Sequence, residues 1–284
     1  MNKKIINLIL VALFISTILI PFSVYAITDK MDTSLIERFD NGEIDWSTAM
    51  VTVKGMGRYA DSGTKYYKRQ MAKRAATLDA YRNLAVIING VRVDSETIVE
   101  NYATRSDKIK TEVSAFIKDA RVINVEYNDE EEIAEITMLM PLLGENGLAD
   151  IIFPEILPKI EPKQEAAKKP NYSGLIIDAR GLGVVPAMSP KIIDSKGNEL
   201  YGTFEIIDPD YVIEYGIIGY NETLEDAKKN PRIGSNPIII EGQKAAGDRE
   251  FECDVIVGIE DANKVRKANN ADKFLQNCQV VLII

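Results

Sequence analysis

The chain has 284 residues, 43 acidic against 34 basic side chains, a net charge of −9 and no histidine. The acidic balance argues against binding nucleic acid by neutralising phosphates, and the missing imidazole removes the commonest general base and the commonest transition-metal ligand. Two domains of ordinary size fit the length.

Lys3 and Lys4 precede an apolar stretch over residues 5–20, and Val24-Tyr25-Ala26 supplies a small-residue cleavage site. This is the pattern of a secretory signal peptide over residues 1–26. Asn7, Ser16 and Thr17 interrupt the stretch, which stays shorter than the roughly 20 residues that span a bilayer. The chain after about Ile27 is therefore expected outside the cytoplasm, in the periplasm or cell envelope, away from cytoplasmic ATP and NAD. Cysteine is absent near the cleavage region, so no lipid anchor is expected there.

Residues 27–153 read as a small α+β domain. Residues 50–54 alternate as a strand, and Gly55-Met56-Gly57 is read as its tight exit. From about Thr64 to Ile88, Ala72, Ala76, Ala80, Leu84 and Ile88 recur every fourth residue, with Met71, Ala75, Leu78 and Ala85 widening the stripe. The spacing predicts a long helix lying close against a sheet and ending at Gly90 through a positive φ. Residues 97–102 read as a short strand. Residues 107–118 form a second amphipathic helix through Ile109, Val113, Phe116 and Ile117. Residues 122–127 and 133–138 alternate around an acidic turn and predict an antiparallel hairpin. Strands and helices in this order place helices on one face of a sheet.

Pro154, Pro158, Pro162 and Pro170, set among Lys and Glu, resist helix and sheet alike and make residues 154–171 a linker. Residues 172–284 read as a strand-rich α/β domain, with strands at 174–179, 191–194, 199–207, 211–220, 237–244, 251–259 and 279–284. Brief helices are expected at 223–229 and 261–268. The closing run Val280-Val281-Leu282-Ile283-Ile284 has no polar alternation, which predicts a strand covered on both faces. Cys253 and Cys278 could pair as a disulfide in an oxidising exterior. As two separate buried thiols they would behave as small hydrophobes. No histidine is available to activate either as a nucleophile.

Gly55-Met56-Gly57-Arg58-Tyr59-Ala60 has the outline of a dinucleotide fingerprint, but Asp61-Ser62-Gly63 separates it from the helix whose amides should face a pyrophosphate. Gly63-Thr64-Lys65 inverts the order that a phosphate loop needs. Acidic residues 129–132 lack the spaced ligands and glycine of a calcium loop. Asp178, Asp208 and Asp210 could serve as an acid/base pair in glycan hydrolysis only if folded together. Lys65, Lys68, Arg69, Lys73 and Arg74 concentrate positive charge at the start of the long helix, either as a solvated face or as a site for an anionic glycan such as peptidoglycan. No catalytic residue, metal or cofactor is expected.

Val53-Lys54-Gly55-Met56-Gly57, the helix carrying Asp79-Ala80-Tyr81-Arg82-Asn83-Leu84 and ending at Asn89-Gly90-Val91, and Ala120-Arg121-Val122 before the hairpin resemble the LPP-twenty family of bacterial envelope lipoproteins. The same stretch is similar to the N-terminal domain of flagellar assembly protein T. Tyr172 to Leu182 and Pro186 to Ile192 look like the second half of longer members. The resemblance implies a noncatalytic envelope protein that binds other envelope components, in flagellar or outer-membrane assembly, without an active site to carry over.

Overall fold

Twelve strands and seven helices among the described residues form two sheets in an α+β fold whose C-terminal region is strand-rich. The computed structural model describes residues 34–157, 171–202, 209–248 and 251–284. The leader expected at 1–26 and residues 158–170 of the expected linker lie outside them. No helix among the described residues is long and apolar enough to cross a membrane.

The first sheet contains β1 (Ile36–Phe39), β2 (Gly42–Asp45), β3 (Met50–Arg58), β4 (Arg121–Asn128) and β5 (Ile133–Pro141), ordered β1-β2-β3-β5-β4 with every pair antiparallel. Helix α1 (Lys65–Asn89) lies on it and buries Ala72, Ala76, Ala80, Leu84, Ile87 and Ile88. The four-residue stripe is thus the contact face, but its expected widening fails: Leu78 is 58% exposed. Small side chains alone do not explain how close the helix lies. Gly55 and Gly57 continue β3 rather than ending it, because the helix backbone occupies the space above them. A Cβ on Gly55 would stand 2.2 Å from the Ala80 nitrogen, and one on Gly57 would stand 2.2 Å from the Ala72 oxygen. Gly90 ends α1 with φ −84°, so no left-handed turn is used.

Residues 97–102 are not a strand. Arg92 and Ile98 form one isolated bridge, and α2 (Val99–Arg105) follows. Helix α3 (Asp107–Lys118) is capped by Ser106 and buries Ile109, Val113 and Phe116. Helix α4 (Leu148–Ile156) includes Pro154 and carries regular structure past the boundary expected at 153.

The second sheet is mixed. It contains β6 (Gly174–Asp178), β7 (Ile192–Asp194), β8 (Glu199–Tyr201), β9 (Gly219–Asn221), β10 (Pro237–Ala246), β11 (Asp254–Val257) and β12 (Val280–Ile283), ordered β8-β7-β11-β10-β6-β12-β9. Strand β12 runs parallel to β6 and β9, and all four of its residues are buried, as a strand covered on both faces should be. Helices α5 (Pro209–Tyr215), α6 (Leu224–Lys229) and α7 (Ile259–Asp272) complete the fold. The strand expected over 211–220 is instead α5 followed by the three-residue β9.

Residues from Thr33 to Ile284 form one compact unit. One hydrophobic core runs through both sheets and includes Trp46, Leu142, Met188, Ile217 and Tyr220, while Ile176, Ala227, Ile233, Val281 and Ile283 form a smaller cluster. Backbone bonds join the two halves: Met188 and Ser189 donate to the carbonyls of Arg92 and Val93, and Gly144 donates to Ile213. The Arg92 guanidinium reaches Glu37 at 2.6 Å and the Pro186 carbonyl at 2.8 Å.

Candidate functional site

The basic start of α1 is occupied from within. Thr64 caps the helix by accepting from the Tyr67 amide, and the cations of the first turns meet the β4–β5 turn. Asp129 there accepts from Arg69 at 2.5 Å, lies 2.6 Å from Lys65 and accepts the Tyr59 hydroxyl at 2.7 Å. Lys68 pairs with Glu132 at 3.6 Å, and the Arg69 guanidinium lies 5.0 Å from the centre of the Tyr127 ring. Hydrogen bonds from Arg69, then Lys65 and Tyr59, hold the Asp129 carboxyl far below the usual carboxylate range. Lys65, Lys68 and Arg69 therefore fasten the hairpin tip to the helix. Lys73 and Arg74 have no ion pair among the described residues.

The glycine-containing strand also has its edge closed. Strand β2 ends opposite Val53, leaving the outer edge of β3 from Lys54 onward without a neighbouring strand. Asp79 accepts from the Met56 amide at 3.0 Å, Asn83 donates to the Lys54 carbonyl at 2.7 Å, and the Lys54 amide bonds Asn41. Side chains four apart on α1 thus satisfy backbone groups that would otherwise invite another strand. That gives a structural role to the Gly-x-Gly and Asp-x-x-x-Asn pattern.

The other predicted groups stand apart. Asp178 ends β6 and accepts from Arg180 at 2.5 and 2.8 Å, bonds that hold its carboxyl below the usual range. Asp210 lies in the first turn of α5, and Asp208 is outside the described residues. Cys253 and Cys278 are separate buried thiols rather than a disulfide. Burial, with Asp254 and Asp94 nearby, pushes the Cys253 thiol far up, so it remains protonated. Among the described residues no group of three or more His, Cys, Asp or Glu is arranged to hold a metal ion.

A different site lies where the two halves meet. Asp45 at the end of β2 accepts from the amides of Ser47 and Thr48 and, at 2.7 Å, from the Thr48 hydroxyl, forming a tight turn beside the buried Trp46. The Trp46 ring nitrogen donates to Glu37 at 2.9 Å. Tyr220 of β9 meets Trp46 edge-on, with ring centroids 6.0 Å apart, and its hydroxyl donates to the Ala187 carbonyl while accepting the Ala187 amide. Helix α5 places Tyr211 and Tyr215 one turn apart, their rings 4.7 Å between centroids. These rings, with Glu214, Asn230 and Arg232, line a cleft of about 440 Å³.

Arg232 organises one wall. Its guanidinium donates to the carbonyls of Gly216, Ile217, Cys278 and Tyr215. These bonds tie the end of α5 to the start of β12 without a carboxylate partner among the described residues. The positive charge is thus held in place while remaining uncompensated by an ion pair. The arrangement suits binding: the exposed Tyr215 and half-buried Tyr211 supply contact area over the buried Trp46 and Tyr220, and a few oriented polar groups supply direction.

Residues 174–284, which begin with β6 and include α5, β9 and Arg232, match a family model described as Treponema pallidum Tp0624, second domain. No curated protein matches the chain.

Proposed function

We propose that the chain is an exported, noncatalytic protein of the cell envelope that binds other envelope components, and that its first half is of the LPP-twenty kind. The observation that carries the binding reading is the cleft shared by both halves, lined by Trp46, Tyr211, Tyr215 and Tyr220 together with Glu214 and Arg232, with Tyr215 exposed. Aromatic anchors with a few fixed polar groups are what a recognition site needs. The leader over residues 1–26 and the absence of histidine support export and binding over chemistry. Internal pairing of Lys65, Lys68 and Arg69 turns attention from the helix face to the cleft.

Cell fractionation with N-terminal sequencing, followed by co-sedimentation with isolated envelopes, tests the proposal. The protein should begin near Ile27, fractionate with the envelope and be retained by it, and Tyr215→Ala should weaken retention. A cytosolic protein with the leader attached, or hydrolysis of wall glycan lost on Asp178→Ala, would overturn it.

A further inference from the structure

We propose that the cleft binds a pyranose oligosaccharide, an inference that rests on the envelope-binding reading and names its ligand class. A pyranose ring has an apolar face of C–H groups and a rim of hydroxyls. Its receptor therefore needs an accessible aromatic face beside planar side chains that accept and donate two hydrogen bonds at once. Tyr215, 52% exposed, and its neighbour Tyr211 form a tilted pair at the mouth of the cleft. Glu214, exposed between them in sequence, supplies a carboxylate that accepts from paired hydroxyls.

In the same lining, next to the end of α5 that Arg232 bonds, Asn230 uses one amide hydrogen on Asn221, and its oxygen accepts from the Arg232 backbone amide. A second amide hydrogen remains for a ligand, since the side chain carries two. Arg232 donates to carbonyls from its two terminal nitrogens, and its Nε lies close to Gly219 in the cleft lining. A side chain at 219 would crowd that nitrogen: a Cβ there would stand 3.3 Å from it. Donors from Asn230 and Arg232, an acceptor from Glu214 and the Tyr211–Tyr215 pair thus line one cleft, at a volume within the usual range of small-ligand sites, roughly 300–1,000 Å³.

A peptide is the less suitable occupant. Strand β9 is the edge of the second sheet beside the cleft, but at three residues it offers too short a template for an added strand.

Trp46 is the chain's single tryptophan and lines the cleft, so its emission reports occupancy there. The purified chain is titrated with chitotetraose and, separately, cellotetraose, following Trp46 fluorescence with calorimetry in parallel. Saturable quenching or a spectral shift with either sugar is expected, weakened at least tenfold by Tyr215→Ala and by Glu214→Gln, both at exposed positions where folding should persist. Heat without any Trp46 response, a response that both variants leave unchanged, or saturation by an extended tripeptide and by neither sugar would overturn the assignment. Absence of sugar binding while envelopes still retain the chain through Tyr215 would remove the glycan and leave the envelope reading standing. Loss of both would remove both.

Discussion

Positive charge at the start of α1 and at Arg232 lies in opposite circumstances. On α1 the cations are dense in sequence, yet three of the five expected to bind ligand are paired with Asp129 or Glu132 of the neighbouring turn. Arg232, which follows Lys228 and Lys229 closely in sequence, is bonded to carbonyls and has no carboxylate partner among the described residues. A charge run therefore indicates little about recognition until the acids that fold against it are known. The same contrast extends to the surrounding layers, since polar groups at the outer edge of β3 are closed off by hydrogen bonds with Asp79 and Asn83, although a cavity of about 380 Å³ lies beside them. Changes in the closed layer should lower stability without altering ligand affinity, and changes in the cleft should do the reverse.

The largest effect should come from deleting residues 279–284. Strand β12 carries four fully buried side chains, each stabilising by about 1.5–3 kcal/mol, a loss comparable to the stability of a whole domain, about 5–15 kcal/mol. Because one core runs through both sheets, the deletion should abolish folding of both halves, seen as loss of the near-ultraviolet dichroism. Persistence of a folded first sheet would mean that the halves are independent. Next, Gly55→Ala drives a Cβ into the α1 backbone and should cost at least about 3 kcal/mol in denaturant melts. Any folded fraction should bind ligand with unchanged affinity.

Smaller effects sharpen the contrast. Asp79→Ala and Asn83→Ala each leave a β3 edge group without its side-chain partner and should cost about 1 kcal/mol, with dimers appearing in light scattering as the edge opens. Asp129 sets the smallest effect. Its carboxyl titrates lower in the folded chain than in the unfolded one, where the value is about 3.9. Its stabilising contribution is therefore present above that pH and is lost as acid protonates it. Melting temperature should fall as pH drops below about 4, and less steeply in Asp129→Asn.

Much of the first half was legible because its periodicities are strong. The alanine stripe of α1, helix α3 and the β4–β5 hairpin follow from 3.6- and 2-residue repeats. Strands β1 and β2 are four residues each, too short for alternation to register. Gly55 and Gly57 read as a turn in sequence because glycine marks both turns and close backbone approaches, and only the position of α1 distinguishes these. Tyr211-Val212-Ile213 suggested a strand through β-branched and aromatic propensity, although Pro209 at the first helical position marks a helix start. The Tyr211–Tyr215 pair depends on α5, and the other members of the cleft lie far apart along the chain, so periodicity does not reveal it.

Co-sedimentation with isolated envelopes across a salt series compares the two regions directly, using the wild-type chain, Tyr215→Ala, and the Lys73→Glu/Arg74→Glu double variant. Retention that changes little with salt, drops at least tenfold in Tyr215→Ala and survives charge reversal at Lys73 and Arg74 is the predicted result. Retention that fades steeply with ionic strength and disappears on charge reversal, while Tyr215→Ala binds as well as wild type, would contradict the account and return recognition to the helix face.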